Sequence, residues 1–215
     1  LVGFDLDGTL VDSSADLAAA TNHALASIGL PTHDVEEVKR FVGKGTRIML
    51  ERALRASGDY SEARLDALRP AFADYYDRHL SVHTRPYSGA VDALDALRER
   101  GVRVGLCTNK SERFTLPLLE ELGLHDRFDA IVCGDTLGAG VLKPDPAPVA
   151  AMVARAGGGR SVFLGDTSHD IDAARGAGIA SIAVRFGFGQ GADAILDHYG
   201  DLLPLLEKWP VRGTK

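Results

Sequence analysis

An open parallel α/β sheet with an inserted helical segment is the fold this sequence predicts, on three observations. Short apolar runs of strand type alternate with segments of helical period, the pattern of a parallel sheet built from strand-helix units. Residues 5–101 separate the first two runs, far more chain than one crossover helix needs, so something is inserted there. The 215 residues are 45% apolar and 25% charged, an ordinary globular composition that excludes a disordered chain or a disulfide-stapled miniprotein.

The strand-type runs are Leu1 to Phe4, Val102 to Cys107, Ala130 to Cys133, Ser161 to Leu164 and Ser181 to Val184. After the first, the pattern turns wholly helical. Ser13 and Asp16 form a capping-box signature ahead of Leu17, Leu25 and Ile28, and Gly29 with Pro31 stops that helix. Asp34 and Glu37 open a second, short helix. A third follows Gly45 and carries Ile48, Leu50, Ala53 and Leu54, and a fourth runs from Ser61 through Leu65, Leu68, Phe72 and Tyr76. Later helices span Gly89 to Arg100 and Ser111 to Leu122, and another follows Pro146 until the Gly157-Gly158-Gly159 run. The expected architecture is a Rossmann-like open parallel core from residues 1–12 and 84–215 with an α-helical cap domain at 13–83. Hinges are expected at Asp12 to Ser14 and His83 to Pro86.

Charge and cysteine content narrow the function classes. The formal charge is −6 and the basic residues are scattered, so no stripe suited to a phosphate backbone is present and nucleic acid is not an expected partner. No apolar stretch approaches the ~18 residues that span a bilayer, so no membrane partner is expected either. Cys107 and Cys133 sit in apolar runs and read as small core hydrophobes, which fits a reducing, cytoplasmic setting. Leu1 opens directly on a strand, so residues before it are expected to be missing from the sequence.

In an open α/β sheet, ligands bind beyond the carboxyl ends of the strands. Asp5, Asp7, Gly8 and Thr9 follow the first run; Thr108, Asn109 and Lys110 follow the second; Lys143 and Pro144 come later; Gly165, Asp166, Thr167, Ser168, His169 and Asp170 follow the fourth. Four carboxylates in one small site repel one another unless a cation or a shared proton intervenes, so a divalent metal is implied. All-oxygen ligands suit Mg²⁺. Such a metal beside an ammonium and a hydroxyl makes a receptor for a phosphate dianion.

These residues carry a family resemblance. The string from Phe4 to Ser13 resembles the first motif of the haloacid dehalogenase-like superfamily, and Thr108, Lys143-Pro144 and Gly165-Asp166 with Asp170 resemble the other three in order and rough spacing. Phe41-Val42-Gly43-Lys44-Gly45, the following Met49 to Leu54, and Cys107-Thr108-Asn109-Lys110 resemble the phosphoglycolate phosphatase branch. The resemblance implies a phosphoric monoester hydrolase, with 2-phosphoglycolate as the leading substrate. Asp5 would be the nucleophile that forms an aspartyl-phosphate, and Asp7 the general acid and base. Asp5, the Asp7 carbonyl, Asp166 and Asp170 would hold Mg²⁺, with Asp170 as ligand or anchor, while Thr108, Asn109 and Lys143 would hold phosphoryl oxygens. Lys44 and Arg47, near the start of the third cap helix, are the expected contacts to an anionic leaving group.

A β-phosphoglucomutase-like enzyme, or a phosphatase for another small phosphorylated metabolite, shares these core motifs and is the alternative. A phospho-Asp receiver module is more remote, because its motif order differs and it has no cap. Gly43-Lys44-Gly45-Thr46 fails the spacing of a nucleotide-binding P-loop. Gly187 to Ala192 mimics a dinucleotide fingerprint, but only 193–215 follow, so it reads as a glycine-rich loop beside the site. His169 reads as an exposed loop residue and His23 as structural. The oligomer is expected to be a monomer or homodimer.

Overall fold

The strand-type runs carry residues that are shut off from water on both sides, as helix-covered parallel strands require. The structure is a computed structural model that describes residues 1–187 and 189–208. Its elements in chain order are β1 (Val2–Phe4), β2 (Val11–Asp12), α1 (Ser14–Ser27), α2 (Val35–Lys39), α3 (Gly45–Ala56), α4 (Glu62–Tyr76), β3 (Arg85–Pro86), α5 (Ala90–Glu99), β4 (Val104–Cys107), α6 (Glu112–Glu121), β5 (Ala130–Val132), α7 (Ala147–Arg155), β6 (Val162–Gly165), α8 (Ser168–Gly176), β7 (Ala180–Val184), β8 (Ala194–Leu196) and α9 (Leu202–Glu207).

Six strands form one parallel sheet in the order β5-β4-β1-β6-β7-β8. Helices α7 and α8 cover one face and α5 with α9 lies toward the other. Met152 of α7 reaches so far onto β1 that a Cβ on Gly3 would lie 2.4 Å from its Cε, so a larger residue there would have to displace the methionine. Cys107 and Cys133 are both buried free thiols, and burial pushes them up to about 12 and about 11.

Strand order fixes the site. β1 lies between β4 and β6, and the connections leave it in opposite directions, so a crevice opens at the carboxyl end of β1. Phe4 pairs in register with Leu106 on one side and Leu164 on the other. Asp5 therefore leaves the sheet level with Cys107 and Gly165, and Thr108 and Asp166 follow immediately beside it.

The four helices between β2 and β3 pack on one another, chiefly α1 against both α4 and α2, with α3 against α4. Leu25, Leu50, Leu54, Leu65, Leu68, Phe72 and Tyr76 are fully buried among them. The short antiparallel pair formed by β2 and β3, Val11 opposite Pro86 and Asp12 opposite Arg85, sits where the sequence suggests hinges.

The capping box expected from Ser13 and Asp16 does not form. Ser13 is at the N-cap position without a side-chain cap bond, because its hydroxyl donates to Asp7 Oδ1 at 2.5 Å. Asp16 is drawn off α1 to the returning chain, where it accepts from His83 N (2.9 Å), Thr84 N (2.7 Å) and Thr84 Oγ1 (2.7 Å). Tertiary donors outbid the local bond here. A capping box appears instead at α8, between Thr167 and Asp170. Strand β8 and the β2-β3 pair are absent from the sequence expectations, being too short to show a period.

Candidate active site

Four loops meet at the carboxyl end of β1. Gly8 lets the first of them turn: its φ is +82°, and a Cβ there would lie 2.5 Å from Asp166 Oδ2. Thr9, fully buried, donates to Asp166 Oδ1 at 3.3 Å, and Tyr199 Oη donates to the Thr9 carbonyl at 2.8 Å. The loop after β1 is thus tied to the loop after β6.

Asp5, Asp166 and Asp170 bring carboxylate oxygens within 4.8 Å of one another. Lys143 is 3% exposed, and its Nζ lies 2.7 Å from Asp5 Oδ1, 2.6 Å from Asp170 Oδ1 and 2.7 Å from the Cys107 carbonyl. Burial opposes the Lys143 charge, but Asp170 and Asp5 outweigh it and hold the ammonium above the ordinary lysine value. Burial pushes Asp5 up to about 7 despite Lys143, and Asp170 adds to the rise. Asp166 is raised by burial and by the Asp170 and Asp5 charges. Asp170 has both oxygens engaged, Oδ1 with Lys143 and Oδ2 with the Thr167 amide (3.0 Å) and hydroxyl (2.6 Å), so it anchors the cluster.

Asp7 faces a second buried lysine. Lys110 Nζ donates to Asp7 Oδ1 (3.1 Å) and Oδ2 (3.2 Å) and to Tyr76 Oη (2.8 Å). Burial opposes the Lys110 charge, and Asp7 and Tyr76 overcome it, raising the ammonium above its usual value. The role of Lys110 is not visible from its place in the sequence, because its partners lie on β1's loop and on α4. Counting Asp5, Asp7, Asp166 and Asp170 against Lys110 and Lys143 leaves two excess negative charges, and the donor set is all oxygen. The residues present fit a hard divalent cation.

Thr108 is buried, and its Oγ1 accepts from Lys110 N at 3.1 Å. The Asn109 carboxamide is not free for a phosphoryl oxygen. It donates to the Gly43 carbonyl (3.0 Å) and the Lys143 carbonyl (2.9 Å) and accepts from Lys143 N (2.8 Å), which leaves only the main-chain amide for that task. Asn109 thereby staples three loops, one of them from the helical segment.

Two adjoining cavities lie here. The smaller, about 40 Å³, is lined by Asp5, Asp7, Thr108, Asn109 and Lys110. The larger, about 430 Å³, shares Asp7, Leu17, Val42 and Gly43 with it and extends between the core loops and α2 and α3. Arg47 lines neither. Its guanidinium is paired with Glu62 at 3.0 Å on the outer surface, with a side chain 49% exposed, so the structure does not bring it to the site. Lys44 is half-buried at the start of α3 and lines neither cavity, although its charge helps lower the pKa of His169, where burial is the larger cause. Lys39, Arg40 and Arg52 do line the larger cavity, as do Tyr87, Phe186 and His169. Sequence reasoning passed over these three cations, because Lys39 and Arg40 read as the solvated end of a short helix and Arg52 as one charge among several along α3. His169 has a buried Nδ1 without a hydrogen-bond partner and is not the exposed loop residue expected of it. His23 stacks on Tyr75 at 4.5 Å. In the glycine-rich loop, Gly187 packs against Asp166, and Phe188 lies outside the described residues.

A parallel sheet with an acid-bearing loop after its first strand, a threonine after the next and a lysine clamped between two acids defines a class of phosphate-handling hydrolase. The model for haloacid dehalogenase-like hydrolases matches residues 2–184, and the chain belongs to that family. It is 40% identical to a phosphoglycolate phosphatase of Agrobacterium fabrum, over 98% of this chain and 94% of that one. It is 36% identical to an N-acetylmuramic acid 6-phosphate phosphatase of Pseudomonas aeruginosa, over 95% and 93%. The crystal structure of a predicted phosphoglycolate phosphatase from Haemophilus somnus superposes with a TM-score of 0.87 at 30% identity, covering 96% of this chain and 97% of that one. Among the described residues no helix is long and apolar enough to cross a membrane.

Proposed function

We propose that this chain is a Mg²⁺-dependent phosphatase that hydrolyses a small phosphomonoester, 2-phosphoglycolate first among them, through an aspartyl-phosphate at Asp5. The observation that carries the reading is the convergence of Asp5, Thr108 and Lys143 on one buried crevice beside the Asp166-Asp170 pair. The Agrobacterium fabrum and Haemophilus somnus relatives support the choice of substrate.

Asp5, the Asp7 carbonyl and Asp166 would hold the metal, with Asp170 behind them. Bound Mg²⁺ supplies charge neutralisation for the phosphoryl oxygens. The chain's own groups do the rest. An Asp5 carboxylate oxygen attacks phosphorus, the bond to the leaving oxygen breaks, and Asp7 protonates that oxygen. Asp7 then takes a proton from the water that attacks phosphorus, and Asp5 is released. Thr108, the Asn109 amide and Lys143 hold the phosphoryl oxygens, and Lys110 with Ser13 fixes the Asp7 carboxylate. Residues 13–83 act as the cap that closes over the core, residues 1–12 and 84–215, and shuts out bulk water.

Steady-state assays on 2-phosphoglycolate, p-nitrophenyl phosphate and glucose 1-phosphate, with Mg²⁺ and with EDTA, test the reading. Turnover should require Mg²⁺ and favour 2-phosphoglycolate, and Asp7→Asn should lose about 10²- to 10⁴-fold in kcat. Full activity in chelator, or an unchanged rate for Asp7→Asn, would overturn it.

A further inference from the structure

The larger cavity has two chemically different walls. Its core side carries Asp7, Asp12 and Asp166, and its cap side carries Lys39, Arg40 and Arg52. Four of the other arginines of the same helical segment are paired, Arg47 with Glu62, Arg55 with Glu51, Arg64 with Asp59 and Arg69 with Asp66, and none of these four lines the cavity. Among the described residues, none of Lys39, Arg40 and Arg52 forms an ion pair with a carboxylate. Arg52 is held in place by its own backbone contacts, donating to the Phe41 carbonyl at 2.9 Å. Three unneutralised cations on one wall of a cleft make a standing positive potential. Acids on the opposite wall push any second anion of a bound molecule toward that cap side.

Size and surface add to this. A volume of about 430 Å³ belongs to the range that takes ligands of ring size and above, and a two-carbon acid would leave most of it empty. Tyr87 and Phe186, with ring centroids 4.3 Å apart, give the same chamber an apolar face against which a carbon skeleton can lie.

We propose that Lys39, Arg40 and Arg52 form the specificity wall of this chamber and that it takes phosphomonoesters whose leaving alcohol is sugar-sized and carries a carboxylate. The inference rests on the phosphatase reading and extends its substrate class. The phosphoryl group occupies the small cavity at Asp5, the carbon chain lies along Tyr87 and Phe186, and the carboxylate meets the cap cations. The bond changes are those already given.

The test compares 6-phosphogluconate with glucose 6-phosphate, two six-carbon esters phosphorylated at the same position, of which only the first has a carboxylate. The wild-type enzyme should favour 6-phosphogluconate by about tenfold or more in kcat/KM, as expected for a charge-assisted contact. Lys39→Gln and Arg40→Gln, which lie at half-buried and exposed positions, should each lower that ratio several-fold, mainly through KM. A ratio near one, or a ratio the substitutions do not move, would overturn the assignment of these residues. Hydrolysis of 2-phosphoglycolate with neither six-carbon ester turned over would overturn the size argument and leave the phosphatase reading standing. If p-nitrophenyl phosphate and 2-phosphoglycolate are also inert, the phosphatase reading itself fails, and this inference with it.

Discussion

Lys110 and Tyr76 meet across the boundary between the sheet and helix α4, with Lys110 Nζ 2.8 Å from the phenolic oxygen. The same ammonium holds Asp7, so the side chain proposed to move protons is tied to the helical segment through one lysine. Tyr76 is fully buried, and burial pushes its phenol up to about 12, so it stays neutral and keeps its acceptor lone pairs.

Tyr76→Phe preserves the ring contacts with Phe72 and Phe114 while deleting that acceptor. A lost hydrogen bond to a charged group is worth about 1–2 kcal/mol here, so kcat should fall by about 5- to 30-fold with a smaller change in KM. Steady-state kinetics on p-nitrophenyl phosphate measures it. A kcat within twofold of wild type would show that the link from α4 to Asp7 does not matter for turnover.

Asp16 is a stability prediction. Its carboxylate, 1% exposed, satisfies three donors on the chain that returns from α4 to β3. Asp16→Ala strips the His83 and Thr84 amides of their acceptor, while the Thr84 hydroxyl keeps the Leu80 carbonyl at 3.2 Å, at a cost of roughly 2–4 kcal/mol. For a chain of this size the melting temperature should drop by about 10 °C. Thermal denaturation checks it, and a drop below about 2 °C would mean that water or a rearranged backbone satisfies His83 and Thr84.

The same residue shows where the sequence was legible and where it was not. Asp5, Thr108 and Asp166 could be placed because each directly follows an apolar strand, and parallel strands deliver their next residues to one edge. Ser13 and Asp16 fit a local capping pattern, yet their partners, Asp7 and the His83-Thr84 segment, come from across the chain boundary of the insert. Arg47 is not brought to the cleft, for a related reason. It stands near the start of α3 as expected, but the packing of α3 on α4 turns it toward Glu62 and turns Arg52 toward the cleft. Helix period gives the faces of each helix of the insert and not the angle at which two of them meet.

The proposed metal dependence has a pH signature in the stability of the metal-free protein. Burial raises Asp5 to about 7, above the usual value of 3.8. Between those two pH values the folded state therefore binds more protons at Asp5 than the unfolded state, and stability falls as pH rises. Asp166, raised for the same reason, adds to the slope. Lys143 does not titrate in this window, because its partners hold it above the ordinary lysine value. Melting temperatures in EDTA should thus decline from pH 5 to pH 7.5, and added Mg²⁺ should restore more stability at the upper end than at the lower. Equal melting temperatures across that range, with and without Mg²⁺, would contradict the charge argument.

Trapping the covalent intermediate tests the central claim most directly. The enzyme is mixed with substrate and Mg²⁺, quenched in acid within the first turnovers, digested and examined by mass spectrometry. The account predicts a phosphoryl group on Asp5 in the peptide that begins at β1, and its disappearance together with turnover in Asp5→Asn. A phosphoryl group on any other residue, or sustained turnover by Asp5→Asn, would contradict it.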